Sequence, residues 1–467
     1  VNSMHSADND ESNNVAIGYG SLASLDGAGT AHNVAVGYNA GTSVSTGTDN
    51  TIIGALAGDT LSATTRTVLV GKSAGTEINS TDAIGTVAIG FSAGSAISSG
   101  QGSVVIGYQA AEIMTTADSN TIIGFQAGGF GSVGLTTSGY NTAVGYQALG
   151  ASSADAITTA GYNTAVGYRA GYELQEGGTN NAFFGAAAGK GTTTGSDNVV
   201  IGANAGNNLS TSDYNVLIGR EAGDAITTAA DGTVAVGYNA GSAITSGAGN
   251  VAVGHRALSA CTTAGSNTVI GYDAALLLAG SDNSGADNVV VGYKAFDAAT
   301  TNERQNVVIG SGAGGAIVGS PSDDNVLIGH NAGLGGGGTT EDCVVIGASA
   351  MDGTGTNTQT GTVAIGYFAL SELTSGDNNT AIGYQCGDAM TDSAYMTLLG
   401  NNAGGAITTG SDHSVIIGNY AGVGGAAAMA GCVVVGSNAM NSTGANAQTG
   451  TIAIGYNALT ALTTGAG

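Results

Sequence analysis

Eleven of the 17 tyrosines in this sequence stand at one place in a recurring phrase, directly after a glycine, as in "NVAVGYNAG" from Asn33 to Gly41. Besides Tyr19 they are Tyr38, Tyr108, Tyr146, Tyr168, Tyr238, Tyr272, Tyr293, Tyr367, Tyr384 and Tyr456, and these ten are the candidate recognition row. Phe91 and Phe125 take the same slot. A column of such rings would suit binding of sugars or other fibres, or packing at the rim of a subunit interface. Five of the eight basic residues, Lys72, Arg169, Arg220, Arg256 and Lys294, occupy this slot or the next, so the row tolerates exposure.

Other reactive side chains are sparse. His5, His32, His255, His330 and His413 are scattered, and no Ser-His-Asp or HExxH spacing emerges. Cys343 and Cys432 stand at one repeat position five copies apart, too far for a disulfide. With Cys386 in a slot otherwise held by Ala, they read as buried spacers, and no CxxC metal pattern exists. Acids avoid the apolar phrase except for Glu221 and Asp273, and several precede its Asn: Asp49, Asp197, Asp287 and Asp324. A glycosidase would need two carboxyls about 5–10 Å apart in a cleft, whereas acids in turns are ordinarily solvated caps. These oxygen-rich turns would suit Ca2+, but the regular nonapeptide of calcium-binding rolls is missing. The expectation is therefore no catalytic residue, no cofactor and no metal.

What must position the rings is the phrase itself. Number its invariant glycine as position 4; it recurs 25 times, at intervals of 17 to 22 residues from Gly18 to Gly455. Positions 1 to 3 are β-branched and apolar, too short for a helix, and predict a three-residue strand. Length changes fall in the arc between copies, as solenoids allow. Position 7 is Ala in 23 copies, which marks a close approach. Position −1 is Asn in 15 copies, including Asn33, Asn50, Asn120, Asn141, Asn163, Asn198, Asn215, Asn250, Asn267 and Asn288. Stacked coils would bring these amides into a hydrogen-bonded ladder, although Asn is also a good turn residue. The prediction is an all-β parallel solenoid (β-roll) of about 25 coils, a rod on the order of 120 Å long. Residues 1–14 fall outside the repeat and residues 15–467 form one array.

Position 2 is apolar in all 25 copies. In a half-exposed strand one of the two faces is polar, so an apolar residue at every position implies burial on both sides. One coil has one interior, and the middle side chain is therefore expected to be hidden by neighbouring copies of the chain.

Composition agrees. The 467 residues include 83 Gly, one Pro and no Trp, and only 9% are charged, far below the roughly 25% of typical globular domains. Hydrophobic residues at 42% argue against disorder. A formal charge of −25 disfavours nucleic acid and anionic lipid, and no apolar run is long enough to span a membrane. No signal peptide is recognisable, and both ends read as uncapped, so a continuing polypeptide or end-to-end joining is expected.

The phrase [NT]-[VT]-A-[IV]-G-Y-x-A-[GL] resembles the head repeats of trimeric autotransporter adhesins, and more closely the repeats of bacteriophage tail-fibre proteins. The resemblance spans residues 14–461, although a coil of about 18 residues is longer than the adhesin repeat. It implies a homotrimer with the apolar strand toward the three-fold axis, on a virion or an extracellular surface. A longer unit repeats as well: "CVVIGASAMDGTGTNTQTGTVAIGYFAL" from Cys343 returns from Cys432, as expected of growth by duplication. The reading is a structural, adhesive fibre, with a host glycan or protein as receptor. Alternatives are a monomeric ice- or surface-binding solenoid built on the Thr pairs of the arcs, and a polysaccharide-degrading tailspike.

Overall fold

In a computed structural model of the chain, every copy of the triplet is a strand. The structure describes residues 3–4, 12–26, 30–130, 133–150, 160–279, 286–300, 303–318, 322–424, 428–444 and 446–462. Most of the N-terminal segment 1–14 and the last five residues lie outside them. The chain forms two compact units, Val1–Gly232 and Thr233–Gly467. Among the described residues, twelve three-residue strands belong to the first, from Val15–Ile17 to Val216–Ile218. Thirteen belong to the second, from Val234–Val236 to Ile452–Ile454.

Within each unit consecutive strands pair in parallel and in full register. Val34, Ala35 and Val36 lie beside Thr51, Ile52 and Ile53, and Val251, Ala252 and Val253 beside Thr268, Val269 and Ile270. Side chains of one position therefore form columns along the stack. Each unit is a β-solenoid with one principal strand per coil and no helix among the described residues.

The register also explains the glycine at position 4. At Gly185 φ is +135°, and a Cβ there would lie 2.7 Å from the carbonyl oxygen of Gly202 in the next coil. Both the positive φ and the close backbone approach exclude a side chain. That glycine ends each strand and opens the turn that carries position 5.

The interior corrects the expected role of position 2. Ala35, Ile52, Leu69, Phe183, Val290 and Leu327 are completely buried within their own chain, as is nearly every residue of that column. The residues facing outward are those at positions 1 and 3. The middle side chain is thus enclosed by its own coil, and no sister subunit is needed to hide it. The alternation of the strand was read correctly, but the inner and outer faces were exchanged.

Opposite position 2, the interior is closed by Ala at position 7 and by an apolar residue seven places after the glycine. Val44, Leu61, Ile78, Ile97, Met114, Leu209 and Ile407 all occupy this second site and are buried. Position 8 compensates for position 2. Each coil with Ile, Leu or Phe at position 2 has Gly at position 8, as in Ile52/Gly58, Leu69/Gly75, Phe183/Gly189 and Leu217/Gly223. Coils with the smaller Ala or Val admit a large residue there, as in Ala143/Leu149, Ala252/Leu258, Val290/Phe296 and Ala364/Leu370. A close-packed interior permits only such reciprocal exchange.

Candidate functional site

The amide column runs along the interior edge of the strand. Asn50 donates from Nδ2 to Oδ1 of Asn33 at 3.0 Å, and its backbone N–H reaches the same oxygen at 3.0 Å. The contact recurs through Asn163, Asn181, Asn198 and Asn215, and through Asn250, Asn267, Asn288, Asn306 and Asn325. Most of these Nδ2 groups also reach an arc carbonyl, as Asn33 does to Gly47 at 2.8 Å and Asn198 to Ser212 at 3.0 Å. Ladder and turn roles are therefore played by one side chain. Asn120 and Asn141 join through the backbone N–H of Asn141, at 2.8 Å from Asn120 Oδ1. Where Cys343 replaces Asn, its N–H still donates to Asn325 Oδ1 at 3.0 Å, and the amide chain stops there.

The outward face consists of positions 1 and 3, mostly Val, Ile and Thr, which are half-buried to exposed in every coil. Next to it stands the ring column. In the first unit Phe91, Tyr108, Phe125, Tyr146 and Tyr168 stack face to face, with centroids 5.1–5.4 Å apart. In the second unit Tyr238, His255, Tyr272 and Tyr293 do the same at 4.7–5.6 Å. Tyr19–Tyr38 and Tyr367–Tyr384 are shorter stacks. Tyr456 is the most exposed of the row.

Stacking consumes the ring faces. Inside each run the faces cover one another, leaving edges and hydroxyls outward. The ends of the runs carry cations: Lys72 Nζ sits 5.7 Å from the Phe91 centroid, the Arg169 guanidinium 5.4 Å from Tyr168, and Lys294 Nζ 5.8 Å from Tyr293. This is where an open π face attracts a positive charge. Lys72, Arg169 and Lys294 are therefore placed as caps of the columns.

Beside the rings a second ladder was missed at the level of sequence. Gln126 donates to Gln109 at 3.1 Å, Gln147 to Gln126 at 3.0 Å, and Arg169 Nε to Gln147 at 2.9 Å. Its sequence signal was the recurrence of Gln two places after the glycine. In the same row Arg256 forks onto Asp273, with Nε 2.8 Å from Oδ1. Burial would raise the Asp273 carboxyl, but the hydrogen bond and charge of Arg256, helped by His255, outweigh it and hold the group below the usual carboxylate range. Glu221, the other acid of the phrase, pairs with Arg220 at 2.8 Å.

The turn acids cap backbone one residue earlier than the four singled out by sequence. At position −3, Asp118 accepts from the Gln101 N–H at 2.8 Å, Asp213 from Ser196 at 2.7 Å, and Asp377 from Thr360 at 2.9 Å. Of the position −2 acids, Asp197 accepts from Asn180 at 3.1 Å. Asp49 faces His32 at 3.6 Å. All four cysteines are free and buried; burial pushes the Cys343 thiol up to about 11 and that of Cys386 up to about 12. Among the described residues, no group of three His, Cys, Asp or Glu is placed to hold a metal ion, and no helix is long and apolar enough to cross a membrane.

In several arcs among the described residues, the first hydroxyl of a Thr or Ser pair turns to the next coil. Thr193 donates to the Ser210 carbonyl at 3.1 Å, Thr245 to Thr262 at 3.0 Å, and Thr391 to Thr408 at 2.7 Å. Comparison of the chain with protein-family models and with curated proteins gives no match.

Proposed function

We propose that this protein is a structural, adhesive fibre segment, of a phage tail fibre or a cell-surface adhesin, with no catalytic activity of its own. Copies of the chain assemble through the outward sheet face, three around one axis as the resemblance of the repeat implies, on a virion or extracellular surface. The observation that carries this reading is the apolar character of positions 1 and 3. A strand with one wet face normally alternates apolar with polar, and here the outer side is Val, Ile and Thr from coil to coil. Thirteen rungs about 4.8 Å apart, each about 10 Å of strand, present on the order of 600 Å2 in the second unit alone. With the flanking rings this approaches the ~800 Å2 per partner of a stable interface. Exposed flat apolar sheet is otherwise an aggregation hazard.

Sister copies replace the role that sequence reasoning gave them: they cover positions 1 and 3 in place of position 2. The arc hydroxyls weigh against an ice-binding solenoid, since Thr193, Thr245 and Thr391, each the first of its pair, are already engaged by the next coil. Receptor contact with a glycan or protein falls to exposed hydroxyls and ring edges. Negative-stain imaging of the purified chain tests the assembly, with three-fold end views expected. Single chains in every field would contradict it.

A further inference from the structure

We propose that Tyr140 and Tyr162 form an oxidative cross-linking site, joined by a one-electron oxidant of the haem-peroxidase class into an intrachain dityrosine that staples two consecutive coils. Both residues stand at position −2, on the far side of the strand from the ring column and outside the face assigned to sister copies. Their rings are stacked with centroids 5.0 Å apart and planes 1° from parallel, the nearest to parallel of the tyrosine pairs. They are 57% and 62% exposed, so an oxidant reaches both. Each has φ of +61°, and the strands that follow are locked together, Thr142 beside Thr164. The two side chains therefore leave equivalent backbones in the same direction.

The chemistry balances within this pair. Each phenol gives one hydrogen atom, a proton and an electron, to the oxidant. The two phenoxyl radicals share their unpaired electrons in one C–C bond between ring carbons ortho to the oxygens. The hydrogen on each bonded carbon then moves to its oxygen through solvent, restoring two phenols. The protein loses two hydrogens, and one hydrogen peroxide taking up two electrons and two protons becomes two waters. Holding the rings in contact converts an encounter between radicals into a unimolecular step. The link spans the widest interval of the repeat, the 22 residues from Gly145 to Gly167. Since all four thiols are buried, a phenol link is the covalent staple open to this surface.

The full chain carrying Tyr146→Phe, which removes the stacked Tyr146–Tyr168 pair from the same two peptides, is treated dilute with a haem peroxidase and hydrogen peroxide and then cleaved at Asp155, which lies between Tyr140 and Tyr162. The expected result is two peptides that remain joined, two hydrogens lighter than their sum, with dityrosine fluorescence. Tyr140→Phe should abolish this link while leaving the fold intact, because Phe91 and Phe125 show that Phe stacks equally well in such columns. In a mixture of isotopically labelled and unlabelled chains, every link should be unmixed. The proposal is overturned if the peptides separate, if Tyr140→Phe leaves the link in place, or if labelled chains couple to unlabelled ones.

Discussion

Asn198 donates from Nδ2 to Oδ1 of Asn181 at 3.0 Å, and its own Oδ1 accepts from Nδ2 and the backbone N–H of Asn215, at 3.0 and 2.9 Å. One carboxamide thereby joins three coils inside a dry interior. Asn198→Ala removes the partner of a buried N–H and leaves a cavity. The expected loss is about 1–3 kcal/mol, seen as a lower midpoint in urea. Asn198→Asp keeps an acceptor for Asn215 but cannot donate to Asn181, and should lower the midpoint at least as far at neutral pH.

The exchange between positions 2 and 8 predicts a rescue. At Gly189 φ is +56°, yet Leu149, Leu258 and Phe296 hold the equivalent place at +49°, +52° and +53°. Backbone strain therefore does not require glycine at position 8. The Phe183 ring does, because a Cβ at Gly189 would overlap it. Gly189→Leu alone should be severely destabilising. Phe183→Ala alone should cost about 3–5 kcal/mol. The double variant reproduces the Ala143/Leu149 arrangement and should recover most of the loss in thermal unfolding, with simple addition of the two losses as the contrary result.

Buried thiols set an alkaline limit. Burial raises Cys343 and Cys386 from the ordinary 9.0 to about 11 and about 12. The folded state keeps these protons longer than the unfolded chain, so their contribution is complete below about pH 9 and is lost as pH rises toward the folded values. Cys386→Ala restores the residue usual at position 7 and should flatten the alkaline fall in unfolding midpoint. Both thiols should resist alkylation at pH 8 until the chain unfolds.

Arg256 and Asp273 set the acid side of one coil. The folded carboxyl lies below its ordinary value, so this pair stabilises the protein above the unfolded value near 3.8 and the contribution fades as pH falls through the folded one. Arg256→Ala strands a carboxylate that is only 2% exposed. The unfolding midpoint should fall, though by less than for a fully buried pair because Arg256 is partly in water. Asp273→Asn should cost less. Unfolding midpoints measured from pH 3 to pH 7 separate the two.

The strands, their parallel stacking and the Asn column were legible in the sequence because each follows from strict spacing about one glycine. The site opposite position 2 is apolar in most coils, seven residues after that glycine, but it sits in an arc whose length varies and admits Thr192, Gly336, Thr354 and Thr443, so its pattern is weaker. Burial of Ala35 and Ile52 by their own coil was not legible. Apolar and β-branched residues at every strand position make either face a candidate interior, and only the direction of the turn at Gly37 or Gly54 decides which is inside. Ring-on-ring stacking, which hides the faces of Tyr108 and Tyr146, likewise depends on register and side-chain direction rather than on residue type.

Sedimentation of the wild-type chain beside a Val251→Lys/Val253→Lys variant tests the central claim most directly. Both residues flank the buried Ala252 and point outward, so the variant should fold normally, with an unchanged circular dichroism spectrum. The wild type should sediment at three times the chain mass and the variant at a lower mass. A wild type that stays monomeric at every concentration, with its Val and Ile face in water, would contradict the account.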